Sequence, residues 1–156
     1  MHHSLQQRLQ QLGLELPPPS QPVANYLNHV VSQNLLFISG QIPLLAGQPA
    51  LLGRLGEELS PEQGAQAAEL AALGLLAQLG TALDDDLSRL RRISRLGVFI
   101  AANAEFTSHA SVANGASNLL VKVLGDKGRH ARTAVGVASL PAGVAVEVDA
   151  IFELQP

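Results

Sequence analysis

Ala131-Arg-Thr-Ala-Val-Gly-Val-Ala-Ser-Leu140, then Pro141-Ala142-Gly143, then Val144-Ala-Val-Glu-Val-Asp-Ala-Ile-Phe-Glu-Leu154 close the chain. Both runs alternate with the two-residue period of a strand, and the Pro-Ala-Gly link between them is turn chemistry. The segment therefore reads as two adjoining strands. Pairing Ser139 with Val144 makes opposed residue numbers sum to 283, so Glu147 faces Gly136 and Arg132 faces Ile151. In that register Arg132 and Glu147 point to one side of the sheet, four positions or about 13 Å apart. A slip of one residue would turn the faces over.

Working outward, Ser108 to Leu124 carries Val112, Ala116, Leu119, Leu120 and Val123 at helical spacing, with Gly125 beyond its end. Ile93 to Ala101 reads as a strand centred on Gly97-Val-Phe-Ile100, entered from an acidic turn, Asp84-Asp85-Asp86. Ser60 to Gly80 is the clearest helix. Ser60 suits the N-cap, Pro61 the first turn, Gln63 the capping box and Gly80 the stop. Its Ala65, Ala68, Ala72, Leu76 and Leu79 form a stripe of mostly small side chains suited to close packing on a sheet. Gly40 to Gly56 is loop, with a short strand near Leu51. His29-Val-Val and Leu35-Leu-Phe-Ile-Ser39, split by Ser32-Gln33-Asn34, suggest a hairpin. Met1 to Gly13 reads as a short helix with Leu5, Leu9 and Leu12 in register, and Pro17-Pro18-Pro19 forces an extended path after it. The order is β-β-α-β-α-β-β, an α+β sheet with its two helices on one face. Residues 1–21 form a helix and proline-rich arm; residues 22–156 form the domain.

Composition narrows the class. Apolar residues are 47% and charged residues 15%, against a typical ~25% charged. Ten basic and thirteen acidic side chains give a net charge of −3, which argues against a nucleic-acid binder working by phosphate neutralisation. The absence of cysteine excludes disulfides and a thiolate nucleophile. No apolar run approaches a membrane span, and the N-terminus lacks a secretion pattern, so a cytoplasmic protein is expected. So few charges on a chain this size point toward an oligomer that buries part of its surface against copies of itself.

Arg132 is a charged residue within a strand whose same-face neighbours, Ala134, Gly136 and Ala138, are small. Such a space invites a ligand or another chain, and a guanidinium suits a carboxylate held by two parallel hydrogen bonds. The alternative is an edge arginine paired with a structural acid. Glu147 is the candidate acid of the next strand, with Asp149 as its rival. The five histidines show no i, i+4 pairing, so no metal is expected. Gly125-Asp-Lys-Gly128 lacks a Walker Lys-Ser/Thr. Arg89, Arg91, Arg92 and Arg95 make a basic patch that the preceding aspartates offset.

Ser39-Gly40-Gln41-Ile42-Pro43 after an apolar strand, and His130-Ala131-Arg132-Thr133 leading to Leu140-Pro141 and Val146-Glu147-Val148, resemble the reactive-intermediate deaminase family. That family is also called Rid or YjgF, and many members carry the name endoribonuclease L-PSP. The likeness spans roughly Pro22 to Leu154. It implies a chorismate-mutase-like fold, a homotrimer with ligand clefts between subunits, and no cofactor. In archetypal members the activity is hydrolysis of enamine or imine intermediates, such as 2-aminoacrylate, to a 2-oxo acid and ammonia. Carried across, Arg132 holds the substrate carboxylate and Glu147 positions or activates the attacking water. Tyr26 matches the family's cleft-lining tyrosine, and Ser39 and Gly40 its loop near the ligand.

The chain departs from the archetype at Ala134, where a thiol stands in the archetype, at Gly136, where an acid stands, and at His130, where proline precedes Ala-Arg. With its longer N-terminal arm it resembles a divergent branch that goes under the endoribonuclease name. His130 adds a titrating group beside the cleft or lies on the surface. Three functions follow: an imine or enamine deaminase first, a non-catalytic module binding a small carboxylate second, RNA cleavage third. Negative charge and only 3% aromatic residues weigh against the third.

Overall fold

The structure, a computed structural model, describes residues 4–156, so Met1, His2 and His3 lie outside the described residues. In chain order the elements are α1 (Leu5–Gln11), β1 (His29–Ser32), β2 (Leu35–Gln41), β3 (Leu44–Leu45), β4 (Gln48–Pro49), α2 (Pro61–Ala82), β5 (Leu90–Ala101), α3 (His109–Leu124), β6 (Ala131–Val137) and β7 (Val146–Leu154). Five strands form one mixed sheet ordered β1-β2-β7-β5-β6, and β3 with β4 makes a separate ribbon. The α+β order expected from the sequence is present, α1 falls within the expected N-terminal helix, and the ribbon is an addition.

The C-terminal hairpin is not. β6 and β7 are separated by β5, which runs parallel to β6 and antiparallel to β7. Residues 138–145 cross the end of β5 instead of turning back on themselves. The link is tied to the loop before α2: the Gly53 N–H donates to the Gly143 carbonyl, and Leu52 bridges Val144. Alternation along a strand specifies which face a residue takes but not which strand lies beside it. β5 is the longest strand, with Leu96, Val98 and Ile100 buried, and an interior position gives its backbone partners on both edges.

This changes the register. Leu96 is flanked by Arg132 and Ala150, Val98 by Ala134 and Val148, and Ile100 by Gly136 and Val146. Directly opposed residues point to the same side of a sheet. Arg132, Ala134 and Gly136 therefore share the face of the buried β5 residues, the face that α2 and α3 cover. Glu147 is opposite Phe99 and points to the other face. The expectation that Arg132 and Glu147 share a side is overturned.

α2 begins as its sequence requires. Ser60 Oγ accepts from the Gln63 N–H, and Gln63 Oε1 accepts from the Ser60 N–H. Gly80 does not stop it; the helix continues to Ala82, and Gly80 is buried where Leu5 of α1 comes close. The buried stripe is Ala67, Ala68, Ala71, Ala72, Leu75, Leu76 and Leu79, while Ala65 is only half-buried. These small residues let α3 approach until a Cβ at Gly115 would overlap the Ala65 carbonyl. Gly115→Ala is accordingly expected to cost about 2 kcal/mol, the scale of an overpacked core. A urea midpoint equal to that of the parent chain would show that the helices have room to part.

The arm is packed, not trailing. Leu5 and Leu9 are fully buried in the common core, and Arg8 Nε donates to the Val123 carbonyl. Further on, Ser20 Oγ donates to buried Gln41, and Gln78 and Asn28 both donate to the Ser20 carbonyl. These bonds fix the path from the proline run into β1. Among the described residues no helix is long and apolar enough to cross a membrane.

Candidate functional site

Two clusters arise from this topology. The first lies where the edge strand β6 meets α3. Arg132 reaches under the helix, and its Nη1 donates to Asn114 Oδ1 at 2.9 Å and to Ser117 Oγ at 3.1 Å. Asn114 and Ser117 stand three residues apart, one above the other on a helix. Ser117 Oγ is 2.9 Å from His130 Nε2, and His130 Nδ1 is 2.6 Å from the Gly128 carbonyl oxygen. Ser117, Val121, Arg129, His130 and Arg132 line an open hollow of about 220 Å³. Ala134 continues the same face and packs partly against the core. At Gly136 the space expected from its bare backbone is filled by His109, whose Nε2 lies 2.6 Å from where a Cβ would stand. His109 is itself steadied by an edge contact with Phe106, ring centres 5.3 Å apart.

The second cluster lies on the uncovered face. Glu147 is half-buried on β7, with Oε1 so close over Gly40 of β2 that any Cβ there would collide with it. Burial, and after it the charge of Asp149, push the Glu147 carboxyl above its ordinary pKa. Asp149 is 3.8 Å from Arg95 and so has a cationic partner that Glu147 lacks among the described residues. Ser39 Oγ donates to the Leu27 carbonyl at 2.6 Å, and the Ser39 N–H donates to the Asn28 carbonyl. The hydroxyl therefore anchors the loop that carries Tyr26, whose side chain is 43% exposed.

Arg132 and Glu147 do not meet within one chain. Two strand spacings and three register positions put their backbones about 14 Å apart, and they project from opposite faces. The uncovered face is also where Val30, Phe37 and Val135 lie exposed. The basic patch is largely paired: Arg89 with Asp84, Arg91 with Glu153, Arg95 with Asp149. Asn114, Ser117 and His109 escaped the sequence reading because they fall off the apolar stripe of α3. Asn114 and Ser117, three residues apart, share a helix edge that only the position of β6 shows to be covered, and His109 sits at the first turn of the same helix over Gly136.

The family model described as "YjgF/chorismate mutase-like, putative endoribonuclease" matches residues 6–153. Protein TCP17 of Trypanosoma cruzi is 46% identical over 147 residues, covering 94% of this chain and 91% of that protein. The crystal structure of Atu1372 from Agrobacterium tumefaciens, a protein of unknown function, superposes with a TM-score of 0.90 at 46% identity, over 97% of this chain and 92% of that one. A structure from Shewanella oneidensis gives 0.92 at 32% identity, over 97% and 99%.

Proposed function

Because the chain belongs to the YjgF/chorismate mutase-like family, we propose that it hydrolyses reactive enamine and imine intermediates of small 2-amino acids, 2-aminoacrylate among them, to 2-oxo acids and ammonia. In this reading the protein is a homotrimer, and each cleft joins the Arg132 cluster of one copy to the Glu147 cluster of the next. The observation that carries it is the guanidinium on the rim of a hollow, held on one side by α3 and open on the other. The separation of Arg132 from Glu147 within a chain supports a shared cleft, and the exposed apolar residues of the uncovered face supply a surface for association.

The chemistry needs little beyond positioning. Arg132 binds the substrate carboxylate and fixes the imine carbon in the cleft. Glu147 takes a proton from water as its oxygen bonds to that carbon, forming an aminol. Glu147 returns that proton to nitrogen and then relays the aminol hydroxyl proton to nitrogen as well; the C–N bond breaks as the C=O bond forms, and the 2-oxo acid and ammonia leave. A carboxyl whose pKa is raised toward the working pH is the more effective base for this step. Tyr26, Ser39 and Gly40 then shape the Glu147 side, while Ala134 and His130 shape the Arg132 side.

The test generates 2-aminoacrylate with a pyridoxal enzyme and times the appearance of pyruvate. The full chain is expected to accelerate release well beyond buffer alone. A rate equal to the no-protein control, with pyruvate still bound, would replace the enzyme with the carboxylate-binding module.

A further inference from the structure

Arg132 carries five N–H protons, and α3 engages a defined subset of them. Both protons on Nη1 are taken, one by Asn114 Oδ1 and one by Ser117 Oγ. Nε and Nη2 have no acceptor among the described residues. Ser117 is fixed from behind in turn. The Gly128 carbonyl can only accept, so His130 Nδ1 carries a proton, and in the neutral ring Nε2 accepts the Ser117 hydroxyl hydrogen. With that hydrogen directed away, the Ser117 oxygen presents lone pairs to Arg132. Each donor in the chain Arg132, Ser117, His130, Gly128 has one direction to point.

We infer that Asn114 and Ser117, with His130 behind Ser117, are positioning residues that hold Arg132 by one nitrogen and leave its Nε–Nη2 edge as the fork for a ligand carboxylate. This rests on the proposed role of Arg132 as carboxylate anchor. That edge offers two parallel N–H bonds at the spacing of two carboxylate oxygens. A long side chain without the clamp would sample many rotamers and would have to be ordered again at each binding event. Asn114 is exposed and Ser117 half-buried, so both can be changed at the rim of the fold without opening its core.

The experiment uses the full chain with Asn114→Ala, Ser117→Ala and Ser117→Thr. One readout is ¹⁵N NMR of the Arg132 side chain in the free protein; the other is titration with pyruvate, with uncharged pyruvamide as control. The wild type should show slowed rotation of the guanidinium, and each alanine variant should release it and weaken pyruvate about three- to tenfold. Ser117→Thr, which keeps the hydroxyl, should restore both readouts, and pyruvamide should be indifferent throughout. A freely rotating guanidinium in the wild type overturns the clamp. So do alanine variants that bind pyruvate as tightly as the wild type, or a wild type that hydrolyses imines without binding pyruvate. A protein that binds pyruvate through the clamp but leaves 2-aminoacrylate to hydrolyse unaided overturns the deaminase instead, and the clamp stands.

Discussion

Arg132→Ala is expected to lower kcat/KM for small 2-imino acids by about 10²–10⁴-fold, mostly through KM. Two hydrogen bonds between a guanidinium and a carboxylate contribute about 1.5–3 kcal/mol each, and their loss compounds. Arg132→Lys should fall between, because it keeps the charge and loses the planar fork. The alanine variant also leaves Asn114 and Ser117 without their shared donor, but both sit where water can reach them. Steady-state kinetics with the coupled pyruvate assay decide it, with unfolding midpoints as the control. A change smaller than threefold would mean that the substrate carboxylate is held elsewhere.

Glu147→Gln should act on the other parameter, lowering kcat about 10²–10³-fold with KM little altered, the usual worth of a positioned general base. The pH profile gives a second reading. In the proposed reaction the carboxylate form is the active one, and burial followed by the charge of Asp149 makes it harder to form. Activity should therefore rise with pH through a value above that of an ordinary glutamate, and the glutamine variant should lose this limb. Asp149→Asn removes the second cause and should move the limb to lower pH. The same shift bears on stability. A carboxyl with a raised folded pKa favours the folded state at low pH, and that advantage disappears as pH climbs through the folded value. The glutamine variant should thus be no less stable than the parent near neutrality. Full activity in Glu147→Gln would remove the residue from the reaction.

Much of this was legible in the residues. Ser60, Pro61 and Gln63 announce the start of α2, and the capping box is present atom for atom. His29 to Ser39 forms its hairpin, with Gln33 in the left-handed conformation that the tight turn requires. Local chemistry governs such features, so a local reading finds them. The C-terminal link was misread for the opposite reason. Pro141, Ala142 and Gly143 do turn, but whether a turn closes a hairpin or spans a third strand depends on β5, some forty residues earlier. From that one uncertainty came the mistaken placing of Arg132 and Glu147 on a common face. Gly80 misled similarly: a glycine near a helix end resembles a stop, yet here the helix runs on to Ala82 with Gly80 buried beside Leu5. Arg132 could be singled out as a charge among small neighbours, whereas Asn114 and Ser117 became meaningful only once α3 lay across β6.

With β5 standing between them, the guanidinium and the carboxylate are each present in every polypeptide and never form a pair there. Catalysis that needs both is a property of stoichiometry. With the proposed cleft shared between copies, dilution that separates the chains is expected to abolish turnover while secondary structure persists, and mild heating that loosens contacts between copies to abolish it before any strand is lost.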